Sequence, residues 1–197
     1  NRLKNIGYHE NDKGACHGIA CRAAHDFLSN PCALFDENLR LLATDVPTTQ
    51  SVTESTREFL TDIAIGQDPH QHSGRHLELQ EPEVIFSLIQ NDAIAAQGGI
   101  QCYDKFFHAY SIPVLTEYFS ILRKYACDCF CSFSLILGNI NHAIMIGFDH
   151  DQTEWVFGNA NAMPIRRYKT VAQLAMAAGN AFRTPLGHMV AFETQVF

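Results

Sequence analysis

Apolar residues recur in two different rhythms along the chain, and the change falls near its middle. From Cys16 onward, Ile19, Ala20, Ala23, Ala24, Phe27 and Leu28 repeat at the spacing that gathers side chains on one helical face, and Asn30-Pro31 stops the run. A buried helix from about Cys16 to Ser29 is expected. A second helical pattern uses Leu34, Phe35, Leu39 and Leu42, and a third runs through Phe59, Ile63 and Ile65 after Ser51, whose spacing to Glu54 resembles a capping box. The stretch from Gly66 to Pro82 turns polar and reads as an exposed loop, and helices resume over Glu83 to Ala96 and Val114 to Tyr125, separated by Gly98-Gly99 and a segment ending at Pro113.

Past residue 126 the pattern shortens. CFCSFSLIL, HAIMIGF, EWVF and HMVAFETQVF are brief, rich in aromatic and β-branched residues, and bounded by Gly, Asn and Asp, which predicts strands. Gly138-Asn139 and Asp149-His150-Asp151-Gln152 are turn signals between neighbouring runs, so an antiparallel meander is the economical arrangement. Lys169 to Phe182 reads as a helix laid across that sheet. Helices first and strands later give an α+β class: a single domain over 1-197, with a helical lobe at about 1-126 and a sheet lobe at about 127-197.

At 197 residues and 47% hydrophobic, the chain can bury one substantial core. Its net charge of -7 argues against nucleic-acid partners and anionic lipid, both of which need a basic surface. The most apolar stretch, Ala126 to Phe148, is interrupted by Asp128, Asn139, Asn141 and His142, so no stable membrane insertion is expected. Seven clustered cysteines, an odd number, argue for reduced thiols in a cytosol-like compartment.

The chemistry is concentrated in KGACHGIA, residues 13-20. Cys16 sits where a loop becomes a helix. There the first N–H groups lack intrahelical partners and the macrodipole favours negative charge, so such a thiol can fall from roughly 8.5 to about 3.5–7.5 in pKa and become a nucleophile. Gly14 and Gly18 would clear space beside the sulfur for a substrate backbone, and His17 either adds to the local positive potential or faces solvent. A nucleophilic thiol needs a base. His142 opens the HAIMIGF run after the Gly138–Asn141 turn, which puts an imidazole at the edge of a sheet instead of in mid-core. The base needs an orienting acceptor. The next strand runs back and ends in GNAN, returning Asn159 and Asn161 to the level of His142, and either carboxamide suits the role.

GACHGIA, NHAIMIGFD and WVFGNAN together resemble the papain-like cysteine proteases of bacterial effectors, the YopT-like group and related Legionella-type effectors. The resemblance implies a papain-like fold and a catalytic cysteine hydrolase in which Cys16, His142 and Asn159 form the triad. That family's third member is usually aspartate, and Asn159 stands in its place here, as asparagine does in papain. The resemblance further implies an oxyanion donor a few residues before the nucleophile, for which Asn11 is the best amide, with the backbone N–H of Cys16 as second donor. It implies no cofactor and no metal. It implies a host protein substrate, delivery by a specialised secretion system into the host cell cytoplasm, and either a stand-alone effector or one catalytic domain fused to further domains of a larger one. A transglutaminase or deamidase would use the same thioester, and a binding module that kept the fold without catalysis is the alternative of another class.

Other signals carry plainer expectations. Cys127, Cys129 and Cys131 alternate at strand spacing, which would turn all three to one face as buried packing, and C-x-C-x-C lacks structural-zinc spacing. His70, His72 and His76 belong to a solvated loop. Phe106, Phe107, Tyr110, Tyr118 and Phe119 are expected to fill the interface between helical lobe and sheet.

Overall fold

Apolar side chains gather into two separate cores in the computed structural model, which describes residues 14–29, 33–43, 54–69, 82–90, 92–182 and 189–197. One compact unit spans Asn1–Gln101 and the other Cys102–Phe197. Helices together with a six-stranded antiparallel sheet make the protein α+β, the class that the change of rhythm predicts.

The described part of the first unit is helical: α1 (Cys16–Ser29), α2 (Ala33–Ala43), α3 (Glu54–Gln67), α4 (Pro82–Ile89) and α5 (Asp92–Ala95). The first matches its predicted bounds. The helix expected over Glu83 to Ala96 is instead two, and the third predicted helix extends through Gln67 into what reads as loop. Ser51 of the capping box, and His70, His72 and His76, lie outside the described residues. Ala20, Ala23 and Ala24 of α1 are buried with Phe35, with Phe59, Leu60 and Ile63 of α3, and with Ile85, Phe86 and Ile89 of α4. Phe35 meets Phe59 edge to face, centroids 5.5 Å apart. The small residues of α1 let it approach α3 closely. A methyl group built on Gly18 would overlap the carbonyl oxygen of Ile63 and come within 2.9 Å of the Gln67 nitrogen, and one built on Gly66 would lie 3.1 Å from the Gly18 Cα. Arg22 ties the same two helices, pairing with Asp26 of α1 at 2.8 Å and with Asp62 of α3 while stacking over Phe59.

The second unit holds β1 (Asp104–Tyr110), α6 (Ile112–Cys129), β2 (Phe133–Gly138), β3 (Ala143–Asp149), β4 (Glu154–Asn159), β5 (Arg166–Tyr168), α7 (Val171–Ala181) and β6 (Val190–Val196). The strand order is β1-β6-β2-β3-β4-β5, every neighbouring pair antiparallel, so the predicted meander is present as β2 to β5. Period-two alternation turns Leu135, Leu137, Ile144, Ile146, Phe148, Trp155 and Phe157 to one face, where Leu115 and Phe119 of α6 and Leu174, Ala175 and Ala178 of α7 complete the core. Side chains of that size contribute about 1.5–3 kcal/mol each when fully buried.

Three expectations change here. The units divide after Gln101 and not near residue 126, because β1 pairs along its whole length with β6 and carries α6 into the sheet unit. The cysteine run is not a strand: α6 continues through Cys129, Phe130 stops it in the left-handed region at φ 52°, its N–H donating to the Ala126 carbonyl, and β2 begins only at Phe133. Cys127 is therefore half-buried while Cys129 and Cys131 are exposed, and the shared buried face does not exist. Of the aromatic group, Tyr110 stacks on Phe192 with Tyr118 5.5 Å away, Phe119 packs on Trp155, and Phe106 packs against the same core, so these rings meet the sheet as expected, within the second unit; Phe107 departs from the expectation and is 74% exposed.

Candidate active site

Cys16 is the first residue of α1 and is half-buried. Gly14 supplies the bend into the helix at φ +78°, a region costly for residues with a Cβ, and nothing lies within 4 Å of where its Cβ would be. Gly18 serves a different purpose from the one expected. It admits α3 and does not open space for a substrate backbone.

That crossing brings in a residue the sequence did not suggest. The Oε1 of Gln67, at the last turn of α3, accepts the backbone N–H groups of His17 (3.0 Å) and Gly18 (3.2 Å), two of the donors an N-terminus leaves open. With Oε1 so engaged, Nε2 is the remaining polar end of the carboxamide, and an amide polarised by two incoming hydrogen bonds is a stronger donor at its other end. No local pattern marks Gln67, which caps a helix about fifty positions away in the chain. His17 faces along its own helix, with Nε2 at 3.6 Å from the sulfur of Cys21. Burial pushes the Cys21 thiol up to about 12, so it stays protonated. Asn11 lies outside the described residues.

The second unit brings His142 and Asn159 together. The Oδ1 of Asn139 accepts the N–H groups of Asn141 (2.9 Å) and His142 (3.0 Å), and the Asn139 N–H donates to the His142 carbonyl at 2.9 Å. One asparagine thus fixes the backbone that delivers the imidazole. His142 stands at the end of an inner strand, not on an edge strand, and is 8% exposed with Phe182 against its ring. Asn159 ends β4 opposite Ile144, which makes it the diagonal neighbour of His142 on the helix-facing side.

Nε2 of His142 lies 3.0 Å from Oδ1 of Asn159. The same oxygen accepts the N–H of Asn161 at 2.9 Å, which identifies that end of the carboxamide as the acceptor. Nε2 therefore carries the proton, and the basic lone pair of the neutral ring is on Nδ1. Asn159 rather than Asn161 orients the ring, and Asn161 contributes its backbone N–H. A neutral carboxamide aligns the imidazole and selects its tautomer without the charge that a carboxylate would add.

Among the described residues, no group of three or more His, Cys, Asp or Glu could hold a metal ion, and no helix is long and apolar enough to cross a membrane. No protein-family model and no curated protein matches the chain.

Proposed function

We propose that the protein is a papain-like cysteine hydrolase acting on protein substrates, with Cys16 as nucleophile, His142 as base and Asn159 as the orienting residue. The observation that carries the reading is the His142–Asn159 pair, whose donor and acceptor ends are fixed independently by the Asn161 amide. A ring set with Nε2–H bound and Nδ1 basic is a general base in need of an acidic partner, and a thiol at a helix start is the partner type that such a base activates.

In this reading Nδ1 takes the Cys16 proton and the thiolate attacks the substrate carbonyl. The resulting oxyanion accepts hydrogen bonds from N–H donors, with Asn11 and the Cys16 amide as the proposed pair and Nε2 of Gln67, whose Oε1 caps the start of α1, as a third. Each well-aimed donor of this kind is worth roughly 10²–10³ in rate. The imidazolium returns its proton to the leaving amine, leaving a thioester. Nδ1 then deprotonates a water that attacks the thioester, releasing a carboxylic acid and the thiol. Attack on a glutamine side-chain amide instead, with release of ammonia, would make the enzyme a deamidase where water resolves the thioester and a transglutaminase where a second amine does.

Mass analysis of a host-cell lysate treated with the protein tests the reading. New backbone termini that disappear with Cys16→Ala are expected. A one-dalton gain at glutamine or a new crosslink would redirect it to deamidation or acyl transfer. A lysate altered equally by the wild-type protein and Cys16→Ala would overturn it.

A further inference from the structure

Asn159 has a second environment besides His142. It forms part of the wall of an open surface cavity of about 760 Å³ bounded by β4, β5, the turn between them and α7, wholly inside the second unit. That volume is in the range of sites that hold a small ligand or a few residues of peptide, roughly 300–1,000 Å³. Its lining contains no carboxylate. It contains one cation, Arg166, together with the carboxamides of Asn161, Gln173 and Asn180.

Register explains why Arg166 is there. It lies opposite Phe157 on β5 and so faces α7, while Arg167, opposite Val156, faces the other way. Arg167 pairs with Asp149 at 3.3 Å and reaches Glu154 at 3.8 Å, and Lys169 reaches Glu154 at 3.9 Å. The exposed Arg166 side chain makes no ion pair and no hydrogen bond among the described residues. In a chain with 21 acidic residues against 14 basic ones, a guanidinium facing a carboxylate-free cavity departs from the surrounding pattern. Gln173 adds a donor to the lining: its Oε1 accepts the Thr170 hydroxyl at 2.9 Å, which leaves its NH₂ group as the remaining polar end.

We propose that this cavity binds an acidic side chain, glutamate or aspartate, of the peptide on which the enzyme acts, with Arg166 gripping the carboxylate. The guanidinium fork matches a planar carboxylate in two parallel hydrogen bonds, and the carboxamides supply further donors. A phosphate group, with nearly two charges, calls for a second cation that the lining does not have. The exposed Met176 of α7 gives the aliphatic stem an apolar surface. Because Asn159 belongs both to this wall and to the His142 pair, the acidic residue would lie on the Asn159 side of the imidazole. The assignment of the occupant as substrate rests on the proposed hydrolase, whereas the preference for a carboxylate does not.

The test uses the full chain carrying Cys16→Ala, ¹⁵N-labelled and titrated with three probes: N-acetyl-glutamyl-alanine amide, its glutaminyl counterpart and its phosphoseryl counterpart. The glutamyl probe is expected to shift the Arg166 Nε and the side-chain amides of Asn161 and Asn180, with affinity at least about tenfold above the glutaminyl probe. Arg166→Gln should erase that preference and Arg166→Lys should retain part of it, both leaving the remaining spectrum in place. Equal binding of the glutamyl and glutaminyl probes, tighter binding of the phosphoseryl probe, or an unchanged preference in Arg166→Gln would each overturn the proposal. Carboxylate-selective binding in a protein whose lysate products do not depend on Cys16 would keep the pocket and remove the hydrolase.

Discussion

The two units solve the packing problem in opposite ways. In the first, α1 and α3 meet almost backbone to backbone, with Gly18 against Ile63 and Gly66 against Gly18, and the buried apolar residues of α1 are the small Ala20, Cys21, Ala23 and Ala24. In the second, sheet and helices are held apart by large side chains, with Phe119, Phe148 and Phe133 around the single tryptophan, Trp155. The contrast decides what each candidate residue depends on. The thiol-bearing helix is set by the absence of side chains, and the imidazole-bearing strand by their bulk. Adding atoms should injure the first unit, and removing them the second.

Three substitutions sharpen or break that contrast. Trp155→Ala leaves a void among rings that cannot close over it, and a loss of about 3–5 kcal/mol is expected, read as a lowered urea midpoint by far-ultraviolet circular dichroism. A loss under 1 kcal/mol would mean that the aromatic layer is not what supports β4. Gly18→Ala adds one methyl where the Ile63 carbonyl already stands, and about 1–3 kcal/mol should be lost, with faster amide exchange confined to α1 and α3. The same change at Gly138 is the control: its new methyl would touch only the Ala143 Cβ at 3.8 Å, and stability should move by no more than about 0.5 kcal/mol. Equal effects at the two glycines would erase the distinction.

The smallest effect is one of pH. Burial holds the Cys21 thiol at about 12, well above an unfolded thiol, so folding favours its protonated form. That contribution is fully present below about pH 8.5 and is lost as pH rises toward the folded value. Stability of the first unit should therefore decline on the alkaline side, and Cys21→Ala should flatten the decline. In the native protein Cys21 should also resist alkylation under neutral conditions that modify the exposed Cys129 and Cys131.

How much of this was legible follows from the range of each signal. The bounds of α1 and the meeting of His142 with Asn159 could be read because helical spacing and antiparallel return are local rules, and two strands with a short turn bring those residues level. Gln67 could not be read, since a side chain that caps another helix leaves no periodicity of its own. The edge strand β1 was missed because its partner, β6, is at the far end of the chain. The Cys127–Cys131 run misled because alternate cysteines fit a strand by spacing alone, whereas the helix packs through Ala126 and runs to Cys129, where the left-handed turn at Phe130 ends it. Arg166 and Arg167 are adjacent and alike in composition, and only the ladder separates a paired arginine from one facing a cavity.

The proposed hydrolase requires the Cys16 thiol and the His142 imidazole to act as one chemical unit, and the rate of Cys16 alkylation tests that requirement most directly. With iodoacetamide at pH 6, where an ordinary thiol is almost entirely protonated, wild-type Cys16 is expected to react well ahead of Cys129 and Cys131, and His142→Ala should slow it at least about tenfold with the other thiols unaffected. A Cys16 rate that is the same with and without the imidazole would contradict the account.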